Sequence, residues 1–181
     1  IKEFDLRDVH STPAVFDITK LEWMNGEYIR QMSDEALTKQ LQEFLVDHPA
    51  KDKIAPVVPL IKDRIKKLSD FGPLTDFLWE APEYDIEVFN KLNISNLKVV
   101  LEKILEKLEK MEKPWKTEIF EKTFRGLADE LKIKTGSMFQ SIRVAVSGQI
   151  VTPPLFESIQ ILGGKETLKR VQAALAFIIG S

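Results

Sequence analysis

Apolar residues recur along most of this chain at spacings of three and four, the period of a helix with one buried side. Asp17 precedes a segment carrying Leu21, Met24 and Tyr28, which predicts a capped helix with Asn25-Gly26 as a weak point. Ser33 opens a second helix whose Leu37, Leu41, Phe44 and Leu45 share a face, and His48-Pro49 ends it. Over 52–69, Ile54, Val58, Ile61, Ile65 and Leu68 make a third helical stripe. Pro56 and Pro59 sit near its start, where their missing N–H groups cost least. Gly72-Pro73 breaks the chain, and a short helix is expected at 74–79.

Residues 80–93 are mixed and read as a connector. Ser95 is then expected to cap a long helix carrying Leu97, Leu101, Ile104, Leu108 and Met111, an alternation of four and three. Glu112-Lys113-Pro114 stops it. A helix at 117–131 carries Phe120, Phe124, Leu127 and Leu131, and helices at 136–147, 153–162 and 165–178 complete the chain. Within the last group, Gly148 closes one helix, and Thr152 with Pro153 at the first position is expected to cap the next. No β-alternation and no internal repeat is present. The pattern therefore predicts an all-α fold of eight or nine helices in two consecutive bundles, 17–80 and 95–181, joined by a connector at 81–94.

Composition narrows the function classes. The chain has 181 residues, 44% of them hydrophobic, enough for a real core. Its formal net charge of -2 gives no general pull toward a polyanion, so any nucleic-acid contact has to come from local basic patches. Cysteine is absent, which excludes disulfides and thiolate metal sites and is compatible with a reducing compartment. No apolar run reaches the roughly 18 residues of a membrane span. The first residue is Ile1, which suggests a piece of something longer.

Catalytic signals are missing. His10 and His48 lie far apart in loop-like positions and read as surface residues. There is no phosphate-cradling glycine loop and no nucleophile elbow. The Lys/Glu-rich stretch 98–116 reads as a solvated face over an apolar stripe, with a partner surface or an RNA-facing stripe as the functional alternatives. Two arginines stand out. Arg64, among Lys62, Lys66 and Lys67, projects beside the stripe of Ile61, Ile65 and Leu68. A restrained guanidinium there suits a base edge, although a surface pair with Asp63 or Asp70 would explain it equally. Arg143 lies between Ile142 and Val144 in an apolar helix and needs a partner, an internal carboxylate or an external anion. Thr152-Pro153-Pro154-Leu155 offers flat apolar surface and free backbone groups, a form that can receive an unpaired nucleotide.

Val15-Phe16-Asp17 with Lys20-Leu21, Trp23-Met24-Asn25-Gly26 and Tyr28-Ile29-Arg30 resembles the opening of the anticodon-binding region of bacterial glutamyl-tRNA synthetases. The run from Phe139 to Leu162, with Thr152-Pro153-Pro154-Leu155-Phe156-Glu157 inside it, resembles the end of the same region. The resemblance implies an all-helical cage in two parts, with residues 1–16 as the tail of a preceding stem-contacting module. It implies that the parent is a class I aminoacyl-tRNA synthetase that attaches glutamate to its tRNA using ATP and Mg2+. The family's His-x-Gly-His-like and Lys-Met-Ser-Lys-Ser-like signatures are absent, so this chain alone is expected to be inactive and to hold no cofactor.

By the same resemblance, Arg64 falls where an arginine reads the third anticodon base in members that reject glutamine tRNA. Arg143 matches an arginine beside the anticodon loop, and Thr152, Pro153 and Leu155 match residues lining the pocket for the middle base. Lys62, Lys66 and Lys67 are candidates for phosphate contact. The expected partner is the glutamate tRNA, with glutamine tRNA as a second candidate, for a cytoplasmic monomer that does not engage membranes. The readings that compete are a helical protein-interaction scaffold using the face 97–111 and a stand-alone regulator derived from the synthetase.

Overall fold

The computed structural model describes residues 17–112 and 114–180, so the expectations for residues 1–16, His10 among them, lie outside the described residues. Among the described residues nine α-helices and no strands are present. They are α1 (Ile18–Gln31), α2 (Asp34–Phe44), α3 (Val58–Ile61), α4 (Phe71–Thr75), α5 (Ile86–Asn90), α6 (Leu97–Lys110), α7 (Thr117–Glu130), α8 (Thr135–Ser147) and α9 (Leu155–Gly180), with 3-10 turns at Leu68–Asp70 and Asp76–Leu78. The span α9 is broken at Gly163, whose φ of 75° and ψ of 157° are not helical, so it holds two helical segments as the sequence predicts. None of these helices is long and apolar enough to cross a membrane.

Two hydrophobic clusters form. One gathers Leu37, Leu41, Ile54, Val58, Ile61, Ile65 and Phe71, all fully buried. The other gathers Leu101, Ile104 and Leu108 of α6 with Phe124, Met138, Ile142 and Val171. Ile161 and Leu162 of α9 pack against the first cluster although the rest of α9 belongs to the second. Leu162, just before the break at Gly163, packs against both clusters and joins them.

Several local expectations are revised. Asp17 does cap α1, accepting from Lys20 N at 3.1 Å, yet Leu21, Met24 and Tyr28 point to solvent. The inward side is Gly26 and Ile29, because the Asn25 amide donates to Lys66 O and a Cβ at Gly26 would lie 3.6 Å from the Lys66 side chain. Asn25-Gly26 is thus a docking point within a continuous helix. Ser33 caps α2 as expected, but Phe44 is exposed.

The stripe over 52–69 is buried at Ile54, Val58, Ile61 and Ile65, yet only Val58–Ile61 is helical. Pro56 and Pro59 remove two donors from the ladder. Past α3, the Lys66 and Lys67 N–H groups donate to Asp70 Oδ2 at 2.9 and 3.1 Å instead of to carbonyls one turn back. Arg64 consequently rides on a turn. Gly72-Pro73 does not break the chain; it lies in the first turn of α4, where proline's missing donor is not needed. Ser95 is not a cap: α6 begins one residue later than expected, with Asn96 at the cap position and no side-chain bond to it. His48 is not a free surface residue. Its Nε2 meets Asp76 Oδ1 at 2.9 Å and its Nδ1 accepts from Ala50 N at 3.1 Å.

Gly148 ends α8 in the left-handed region at φ 70°, and a Cβ there would lie 2.5 Å from Glu83 O. Gly148→Ala should therefore cost about 1–3 kcal/mol in denaturant unfolding, through backbone strain and the collision together. Gly126, exposed within α7 with nothing within 4 Å of a Cβ, should respond oppositely. Gly126→Ala is expected to stabilise by about 0.5–1 kcal/mol.

Candidate functional site

The loop between α8 and α9 is built by proline and glycine chemistry. Pro154 forces the residue before it out of helical conformation, so Pro153 cannot be the first helical residue and α9 starts at Leu155. The first turn is held by Ser158 N donating to Pro154 O at 3.0 Å. Thr152 is therefore not the cap that its position suggests. Its hydroxyl accepts from Arg143 Nη1 at 2.6 Å. Gln140 Nε2 donates to Ile150 O at 2.7 Å, and Gln149 N donates to Ser147 Oγ at 3.1 Å, folding the loop back on α8.

Arg143, half-buried, has no carboxylate partner among the described residues. Nη1 reaches Thr152 O at 3.4 Å and Pro153 O at 3.2 Å besides the hydroxyl. Its Nε is buried without a partner. From the first cluster, Arg64 Nη1 approaches the same Thr152 carbonyl at 3.5 Å. Neither guanidinium forms an ion pair among the described residues, and Asp70, a candidate partner for Arg64, is engaged by Lys66 N, Lys67 N and the Lys67 ammonium. Burial, and after it the like charge of Arg64, pull the Arg143 pKa below its ordinary value. Two cations thus converge on one oxygen with donor capacity left over. An incoming acceptor or anion would relieve that situation.

Thr152 is 2% exposed, and Pro153 and Leu155 are buried too. Their side chains form the floor of the loop, and its exposed apolar residues are Val151, 67% exposed, and Ile150. Of the lysines, Lys62 is paired with Asp34 at 3.0 Å and Lys67 with Glu22 at 3.1 Å. Lys66 is exposed and its ammonium has no ion pair among the described residues. The Lys/Glu face over 98–116 is the solvated face expected. Lys98 pairs with Glu102 and Lys107 with Glu130, while Lys110 and Lys103 hold the Glu106 carboxyl down at about 2. The apolar face beneath it is internal, with Leu101, Ile104 and Leu108 fully buried.

With this geometry established, comparison with known proteins decides the family. A model of the anticodon binding domain matches residues 36–175. The chain belongs to the anticodon-binding domain family. It is 34% identical to the glutamate–tRNA ligase of Clostridium novyi (strain NT), over 97% of this chain and 38% of that protein. It is 38% identical to the glutamate–tRNA ligase of Clostridium tetani (strain Massachusetts / E88), over 97% of this chain and 37% of that protein. The crystal structure of a glutamate tRNA ligase from Elizabethkingia meningosepticum, in complex with its amino acid, superposes with a TM-score of 0.77 at 25% identity, over 97% of this chain and 35% of that one. The chain thus spans a little over a third of the length of the relatives it matches.

Residues outside the sequence-level candidates complete the anticodon-binding domain. The Tyr84 hydroxyl lies 2.8 Å from Ala145 O and 2.9 Å from Arg170 O. Nothing in its spacing marks it out; only the fold brings it to α8. Burial pushes its pKa up to about 12. A raised folded-state value means that the unfolded chain loses this proton first. The stability Tyr84 contributes is complete below its unfolded value near pH ~10 and is lost between there and about 12. Denaturant midpoints measured across that range should fall in the native chain, and Tyr84→Phe should remove that part of the fall.

Proposed function

We propose that this chain reads the anticodon of glutamate tRNA, as the anticodon-recognition part of a glutamate–tRNA ligase. The observation that carries the reading is the convergence of Arg64 and Arg143 on the Thr152 carbonyl with no carboxylate between them. A guanidinium fork donates two parallel hydrogen bonds to a base edge. Unpaired anticodon bases are the form in which RNA sequence is most readily read. In this reading Arg64 meets the third base. Arg143 stands beside the loop, and Thr152, Pro153 and Leu155 back the middle base through a rigid floor and two carbonyls. Lys66 is the best placed of the three lysines for phosphate, since Lys62 and Lys67 would first have to exchange carboxylate partners.

The same reading divides the chain into two anticodon-binding subdomains, 17–80 and 95–181, joined through 81–94. Two separate hydrophobic clusters support two subdomains, with Phe89, Tyr84 and Val88 of the joining segment packed into the second. An arginine at 64 favours rejection of glutamine tRNA, with the chain acting as a monomer in the cytoplasm. The parent ligase would attach glutamate to tRNA and draw on ATP with Mg2+ to do so. In this reading that chemistry belongs to the rest of the ligase. A scaffold using the face 97–111 is disfavoured, because those side chains pack inside the second cluster.

Binding of an anticodon stem-loop tests the reading. The native chain should prefer the glutamate anticodon over one altered at the third base. Arg64→Gln should cut that preference by about 1–3 kcal/mol, while Lys66→Ala weakens both RNAs alike and flattens the salt dependence. Equal affinity of the native chain for both stem-loops would reject the role of Arg64.

A further inference from the structure

Among the buried residues described, Arg170 is the one charged side chain, 4% exposed, and base reading makes no direct use of it. Its Nε donates to Glu166 Oε1 at 2.8 Å, one turn back on α9. Nη1 donates to Phe77 O and, at 3.0 Å, to Val146 O. Nη2 donates to Glu80 O at 2.9 Å. Phe77 and Glu80 close the first half of the chain. Val146 lies in the last turn of α8, three residues beyond Arg143. Carbonyls at the ends of helical turns lack partners within their helix, and a cation there also meets the negative end of the helix. A planar fork with several donors can hold these carbonyls at once; an ammonium on a flexible stem does so only in part.

Two further contacts fasten the same seam. The Tyr84 hydroxyl lies within hydrogen-bonding distance of Ala145 O and Arg170 O, and Gly148 lets Glu83 O approach closely. The segment 77–84 is thereby pinned to the C-terminal end of α8. We propose that Arg170 is a positioning residue that fixes the first cluster against α8. It thereby sets the separation of Arg64 from Arg143 over the Thr152 carbonyl. The consequence for RNA rests on the base-reading proposal; the spatial consequence does not.

The chain has no cysteine, so Ser69→Cys with Val151→Cys places two spin labels at exposed positions, one on each side of the seam. Distances are measured in the 181-residue chain with native Arg170, Arg170→Met, Arg170→Lys and Glu166→Gln. Lysine keeps the charge and is the variant expected to retain the full helical signal. The native chain and Glu166→Gln, which keeps the carbonyl bonds, should give one narrow distribution. Both Arg170 variants should broaden it. Their preference for the glutamate stem-loop over the third-base variant should fall about tenfold, the size of one hydrogen bond to a charged group. An unbroadened distribution in folded Arg170→Lys overturns the proposal. A broadened one with the RNA preference intact overturns its link to recognition. If the native chain itself shows no preference, the base-reading proposal fails, and the distances still decide the role of Arg170.

Discussion

One carbonyl oxygen, that of Thr152, accepts from two guanidiniums that belong to different hydrophobic clusters. Burial, and after it the like charge of the exposed Arg64, hold the Arg143 pKa below its ordinary value. Such an arrangement persists because the surrounding fold holds it, not because the two side chains favour it. It leaves donors that neither the loop nor a neighbouring carboxylate satisfies. Hydrogen bonds to a charged group are worth about 1.5–3 kcal/mol, so an acceptor supplied from outside gains more here than on an ordinary exposed surface.

The fold builds this point from two directions. Consecutive prolines delay the start of α9 and turn the Thr152 and Pro153 carbonyls toward Arg143. From the other direction, Asp70 takes the N–H groups of Lys66 and Lys67, ending the helical path after α3 and leaving Arg64 on a turn. The helix α9 touches both clusters and also carries Arg170, whose hydrogen bonds join segment 77–80 to the end of α8. The join uses the carbonyls of Phe77, Glu80 and Val146, while Arg64 and Arg143 meet at the Thr152 carbonyl a few residues beyond α8.

Much of this was legible in the sequence, and the exceptions have physical causes. The helical period located α2, α6, α7 and α8, because each buries one continuous stripe. It misjudged α1, where a glycine and an asparagine dock the helix and its larger apolar residues face solvent. It overextended α3, because a buried stripe of helical spacing can also be held by successive turns. Arg64, Arg143 and Thr152 stood out in the sequence, and the structure brings both arginines within hydrogen-bonding distance of Thr152. Their side-chain environment was not, since the burial of Thr152 and Leu155 depends on contacts from distant elements. Arg170 and Tyr84 carry no local signal at all. Apart from Glu166, one turn before Arg170, their partners lie between 24 and 93 residues away in the chain, and only the tertiary arrangement reveals them.

The most direct test follows the arginine side chains themselves. With the chain 15N-labelled at arginine, the Nε–H signals can be recorded while the glutamate anticodon stem-loop is added. Signals of Arg64 and Arg143 should shift together, at one RNA concentration, while that of Arg125, paired with Glu121 on the exposed face of α7, stays in place. Saturating RNA that leaves the Arg64 and Arg143 signals unmoved would contradict the account.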